Sequence, residues 1–108
     1  DLLKKSPFNS LYPKNYTGAS SAYFDASQAI YVNEPIKEKE AHLAALATSA
    51  ATKCQYCIPF HIAQAKRLGA TEDELKAAVQ IAADVMRMST MFYGNEFDLD
   101  EFKAMLKN

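Results

Sequence analysis

Both cysteines of the chain fall in one short stretch, Lys53-Cys54-Gln55-Tyr56-Cys57-Ile58-Pro59-Phe60-His61, with one of its two histidines. The pattern is C-x-x-C with a histidine four residues after the second cysteine. Two thiols at this spacing can close a small disulfide loop, or present two thiolates to a substrate or a metal. On a helix, Cys57 and His61 form an i, i+4 pair, and Cys54 lies one turn earlier on the same side. An imidazole placed there can take the proton from Cys57 or hold its thiolate as an ion pair. The other histidine, His42, sits twelve residues before Cys54 in an alanine-rich segment. With helix expected on both sides of the C-x-x-C, His42 can fold back over the thiols and serve as a second base, since imidazole titrates near neutrality.

Two other readings use the same residues. Cys54, Cys57, His61 and His42 make up a Cys2His2 set, the ligand count of a structural zinc site. Alternatively, the cysteines are structural and pack as small hydrophobes. The isolated C-x-x-C favours redox chemistry over both.

Composition limits what surrounds this stretch. The chain has 108 residues, enough for one domain, and 49% of them are apolar, enough for a core. With 12 basic and 13 acidic residues the net charge is -1, which supports neither nucleic-acid nor anionic-membrane binding. Charged residues interrupt every apolar run that could span a membrane. No secretory signal is read in the chain, which begins at Asp1. Two cysteines do not make a secreted disulfide scaffold, so the expected setting is cytoplasmic. No organic cofactor is called for.

The elements that must position the site are helical. Residues 1–16, with Pro7 and Pro13, read as an irregular lead-in anchored by Phe8, Leu11 and Tyr12. Residues 17–108 read as one helical domain. Thr17-Gly18 or Ser20 caps a first helix running to about Tyr31, and Asn33-Glu34-Pro35 breaks it. Pro35 then suits the first turn of a helix from Ile36 to about Thr52, with Glu38 and Glu40 near its positive end. Pro59 confines the start of the next helix to between Gln55 and Ile58, and Gly69 ends it after Leu68. Thr71-Glu72-Asp73-Glu74 is a capping box, and Leu75, Ala78, Val79, Ala82, Val85 and Met86 form an apolar stripe to near Phe92. Asp98 or Asp100 opens a short last helix through Leu106. Tyr56 and Phe60 are expected as pocket walls. Val85 to Tyr93, rich in methionine and aromatics, is expected to be buried, partly between subunits.

In order along the chain, these features resemble the AhpD-like branch of the carboxymuconolactone decarboxylase superfamily. The resemblance rests on Pro35-Ile36-Lys37-Glu38-Lys39-Glu40 opening an alanine-rich helix, then Cys54-Gln55-Tyr56-Cys57, His61 and the Leu68-Gly69-Ala70-Thr71 turn. It implies an all-α bundle assembled as a trimer or hexamer. It implies thiols that reduce peroxides or exchange electrons with lipoyl groups, another thiol donor or a partner peroxiredoxin. It makes Cys57 the peroxide-attacking thiol and Cys54 the resolving one. The decarboxylase branch works without the cysteine pair. Two positions depart from the family pattern: His42 stands where a glutamate usually serves the proton relay, and Tyr56 stands where the best-known peroxidase has a histidine.

Overall fold

The structure, a computed structural model, describes residues 1–33 and 35–107, and no strand occurs among them. The helices are α1 (Leu2–Lys5), α2 (Thr17–Val32), α3 (Glu38–Thr52), α4 (Cys57–Arg67), α5 (Glu72–Gly94) and α6 (Leu99–Met105). The all-α expectation holds. Packing groups the described residues into two compact units, 1–41 and 42 onward.

In the first unit the lead-in is wound into turns and is not irregular. The Asp1 carboxylate accepts the Lys4 amide at 3.0 Å and caps α1. Ser6 caps a tight 3-10 turn over Pro7–Leu11, where Pro7 occupies a position whose amide has no helical partner. Asn9 is buried and bonded at both ends of its side chain: its amide donates to the Leu2 carbonyl at 2.9 Å, and its carbonyl accepts from Ser20 Oγ at 3.2 Å. Asn9 therefore ties α1 and the lead-in to α2, and Lys5 pairs with Asp25 across the same junction. A burial pattern of this kind leaves no period-3.6 signal for the sequence to show. Neither Thr17 nor Ser20 caps α2. Tyr16 holds the N-cap position without a side-chain bond, and Thr17 Oγ1 donates back to the Lys14 carbonyl at 3.0 Å.

Pro35 does not open α3. It lies in a turn, and the helix begins at Glu38. The Glu34 position of the expected break lies outside the described residues. The buried face of α3 carries His42, Leu46 and Ser49, at the i, i+4, i+7 spacing of one helical stripe. In the second unit Leu46, Ala65, Leu75 and Ala78 form the core of α3, α4 and α5, with Leu43, Ile58, Ile62 and Ala70 packed on it. Alanine at two of those four core positions lets the helix backbones approach closely.

The capping box of α5 forms as expected: the Glu74 amide donates to Thr71 Oγ1 at 3.1 Å, and the Thr71 amide donates to Glu74 Oε1 at 2.9 Å. Asp98 caps α6 by accepting the Glu101 amide at 2.8 Å. The apolar stripe of α5 divides in two. Leu75, Ala78 and Ala82 are buried, whereas Val85 is 60% exposed and Tyr93 84% exposed. The expected burial of Val85 to Tyr93 is therefore not met within one chain. The core ends near Ala82, and past it Phe92 meets Phe97 and Phe102 edge-on at centroid distances of 5.3 and 5.1 Å.

Two helix ends use the same backbone device with different residues. At the end of α3 the Lys53 amide donates to the Ala50 carbonyl and the Cys54 amide to the Ser49 carbonyl, with Lys53 at φ +58°. At the end of α4 the Gly69 amide donates to Lys66 and the Ala70 amide to Ala65, with Gly69 at φ +92°. Both are Schellman motifs, whose left-handed residue is normally glycine. Lysine there costs about 1–2 kcal/mol in backbone sterics, against about 0.5–1 kcal/mol that glycine loses in chain entropy. Lys53→Gly is expected to raise unfolding free energy by about 0.5 kcal/mol. Gly69→Ala is expected to lower it by about 1 kcal/mol through backbone strain, since a Cβ at Gly69 meets nothing within 4 Å. Urea denaturation of both variants checks the opposite signs.

Candidate active site

The left-handed turn at Lys53 reverses the chain and delivers Cys54 to the head of α4. Gln55 and Tyr56 complete the turn, and α4 begins at Cys57, inside the interval set by Pro59. Pro59 sits in the first turn, where a missing amide hydrogen breaks no helical bond. The Ile58 amide donates to the Cys54 carbonyl at 3.0 Å. No side chain oxygen caps this helix. Instead the Cys57 amide donates to Cys54 Sγ at 3.1 Å, so the first sulfur receives one of the unpaired amides of the helix start. Cys54 and Cys57 are joined as a disulfide, with a Cα–Cα distance of 5.3 Å, and both are half-buried. The sulfur-to-amide bond had no signal in the sequence, because it depends on the left-handed conformation of a lysine.

His61 stands one turn beyond Cys57 on α4. Its Nδ1 lies 3.0 Å from Nδ1 of His42 on α3. One ring must donate and the other accept, so the two Nδ1 positions share a single proton. His42 is 2% exposed, and its burial follows from its place on the Leu46 stripe. Burial lowers the pKa of His61 below 6.5, and the charge of His42 lowers it further. The Phe60 ring packs edge-on against both imidazoles, at centroid distances of 5.0 Å to His61 and 6.3 Å to His42, and is 42% exposed. Phe60 thus forms a wall of the histidine pair. Tyr56 does not: it is 78% exposed on the turn.

The structure brings all four expected residues into one unit, as a disulfide and a histidine pair. It does not assemble them as zinc ligands. The sulfurs are bonded to each other, and among the described residues no three His, Cys, Asp or Glu side chains are grouped to hold a metal ion. The arrangement places a disulfide at the head of α4 and, one turn away, an imidazole whose affinity for a proton is lowered by burial and by its neighbour.

The lowered pKa of His61 has a consequence for stability. Between 6.5 and the lower native value the unfolded chain binds more protons at this position than the folded one, so folding stability rises with pH there. The contribution is full above 6.5 and is lost as pH falls through the native value. Unfolding free energies of the wild type and His61→Gln, measured by urea between pH 7.5 and pH 5, are expected to converge as the pH falls.

Comparison with known proteins agrees with this reading of the fold. The sequence profile of the carboxymuconolactone decarboxylase family matches residues 18–94. A protein of Paracoccus denitrificans described as "Uncharacterized protein 4 in cox locus" is 27% identical over 81 residues, covering 73% of each chain. No solved structure matches. The matched span runs from the start of α2 to the end of α5 and includes both cysteines and both histidines. The chain belongs to the carboxymuconolactone decarboxylase family, which includes the AhpD-like proteins.

Proposed function

We propose that the chain is a thiol–disulfide oxidoreductase of the AhpD-like kind that reduces hydroperoxides by cycling Cys54 and Cys57. The observation that carries this reading is a disulfide at the head of α4, one turn before a histidine whose partner is a second, buried histidine. In the reduced state Cys57 is the nucleophile. His61 takes its proton, and His42 holds the ring of His61 and shares that proton as a second base. The Cys57 thiolate attacks the terminal peroxide oxygen: an S–O bond forms, the O–O bond breaks, and the alcohol leaves with a proton. The Cys57 sulfenic acid is then attacked by Cys54, an S–S bond forms, and water leaves. The cycle closes by reduction from a thiol donor or a lipoyl group and needs no organic cofactor, and a partner peroxiredoxin could exchange electrons with the reduced pair. It runs only where a reductant is at hand, which supports a cytoplasmic setting. Among the described residues no helix is long and apolar enough to cross a membrane.

The same reading includes a homo-oligomer, a trimer or hexamer. The exposed half of α5, with Val85, Met86, Met91 and Tyr93, is the apolar face such an assembly would cover. Light scattering at micromolar concentration is expected to give a mass several times that of the chain, and a monomer would overturn this part.

The test of the chemistry is a thiol count on the reduced protein before and after one equivalent of an alkyl hydroperoxide. Two free thiols are expected to fall to none, with one alcohol formed per chain. Cys57→Ser is expected to abolish peroxide consumption. Cys54→Ser should react once and stop at a trappable sulfenic acid. A thiol count that peroxide leaves unchanged would sink the proposal.

A further inference from the structure

An apolar cavity of about 380 Å³ opens between the end of α5 and α6. Its volume lies in the range of small-molecule sites, roughly 300–1,000 Å³. Four of its lining residues, Glu96, Phe97, Leu99 and Phe102, stand past residue 94, where the family match ends. Three walls are phenylalanine rings. Phe92, Phe97 and Phe102 have centroids 5.1 to 6.4 Å apart, with planes at 61°, 67° and 87° to one another. They form a corner and not a stack.

The turn that closes α5 supplies the polar wall. The Glu96 amide donates to the Tyr93 carbonyl at 3.1 Å and the Phe97 amide to the Phe92 carbonyl at 3.0 Å, with Glu96 at φ +52°. The motif seen after α3 and α4 is repeated here, and it folds Phe97 back toward Phe92. Glycine would fill the left-handed position without steric cost. Glutamate fills it under strain, and in return sets a carboxylate at the mouth of the cavity. Residues 88–102 hold four acidic residues and no basic one. Asp98 is committed to capping α6. Among the described residues the Glu96 side chain has no hydrogen-bond or ion-pair partner.

We propose that this cavity binds a small organic cation, an amine or quaternary ammonium carried on an apolar or aromatic body. The site shares no residue with the disulfide or the histidine pair, so it does not depend on the redox reading. The apolar body displaces water from the phenylalanine rings and Leu99. The charged head is attracted by the ring quadrupoles, and Glu96 adds a Coulombic attraction at the mouth. A neutral molecule of the same shape gains the burial alone, and an anion is repelled. A second copy meeting this patch about a two-fold axis would set four carboxylates against four more, so like surfaces do not suit each other here.

The test is calorimetric titration of the full chain, in its own solution assembly, with aromatic resonances followed by NMR. The probes are benzyltrimethylammonium, its uncharged carbon analogue 2,2-dimethylpropylbenzene, and phenylacetate. The cation is expected to bind at least about tenfold more tightly than the uncharged analogue and to shift the rings of Phe92, Phe97 and Phe102. Phenylacetate is expected not to bind. Glu96 is exposed, so Glu96→Gln leaves the fold intact. It is expected to weaken the cation about three- to tenfold and leave the uncharged analogue unchanged. Salt at about 0.5 M should narrow the difference between wild type and Glu96→Gln. Phe97→Leu keeps apolar bulk without a π face and should reduce the preference for the cation. Equal affinities for the cation and its analogue overturn the proposal. So does a cation that shifts no ring of the trio, the result that cover by a second copy would give.

Discussion

A buried imidazole has to be hydrogen-bonded, and the partner that His42 finds decides much of this site. His42 points into the core because it shares a helical stripe with Leu46 and Ser49. Its bond to His61 at 3.0 Å joins α3 to α4 next to the point where Leu46 and Ala65 pack. Polar and apolar contacts therefore fix the same pair of helices. The disulfide at the head of α4 is then held at a set distance along the helix from an imidazole that cannot swing away without breaking a buried bond.

The consequence is electrostatic. A carboxylate in the place of His42 would hold a proton on His61 and favour the imidazolium form. A second imidazole does the reverse, since its charge and the burial both lower the affinity of His61 for a proton. The neutral form of His61 is thereby favoured over the charged one.

Much of the fold was legible because its signals are local. The capping box at Thr71, the stop at Gly69 and the limit set by Pro59 each act within one helical turn, and each falls where the pattern puts it. The stretches that were not legible depend on contacts distant in sequence or on an unusual backbone. Asn9 orders the lead-in by reaching Leu2 and Ser20, which no periodicity reveals. Pro35 fits a first helical turn on composition, yet it lies in a turn before α3. Lys53 adopts a conformation in which glycine is the usual choice, so a turn that depends on it carries no glycine to mark it. The outer half of α5 continues an apolar stripe beyond the core of its own unit, and a stripe does not say whether its cover comes from the same chain.

The same distinction separates what the family gives from what this chain adds. The family match covers the stretch from α2 to α5. The junction of α3 and α4 holds a disulfide, an amide that donates to one of its sulfurs, and a pair of hydrogen-bonded imidazoles. A site that only needed rigidity could have used apolar packing at His42 without burying a polar ring. A ring at this position instead supplies what an apolar residue could not, a hydrogen bond that fixes the orientation of His61 and a site that can share its proton.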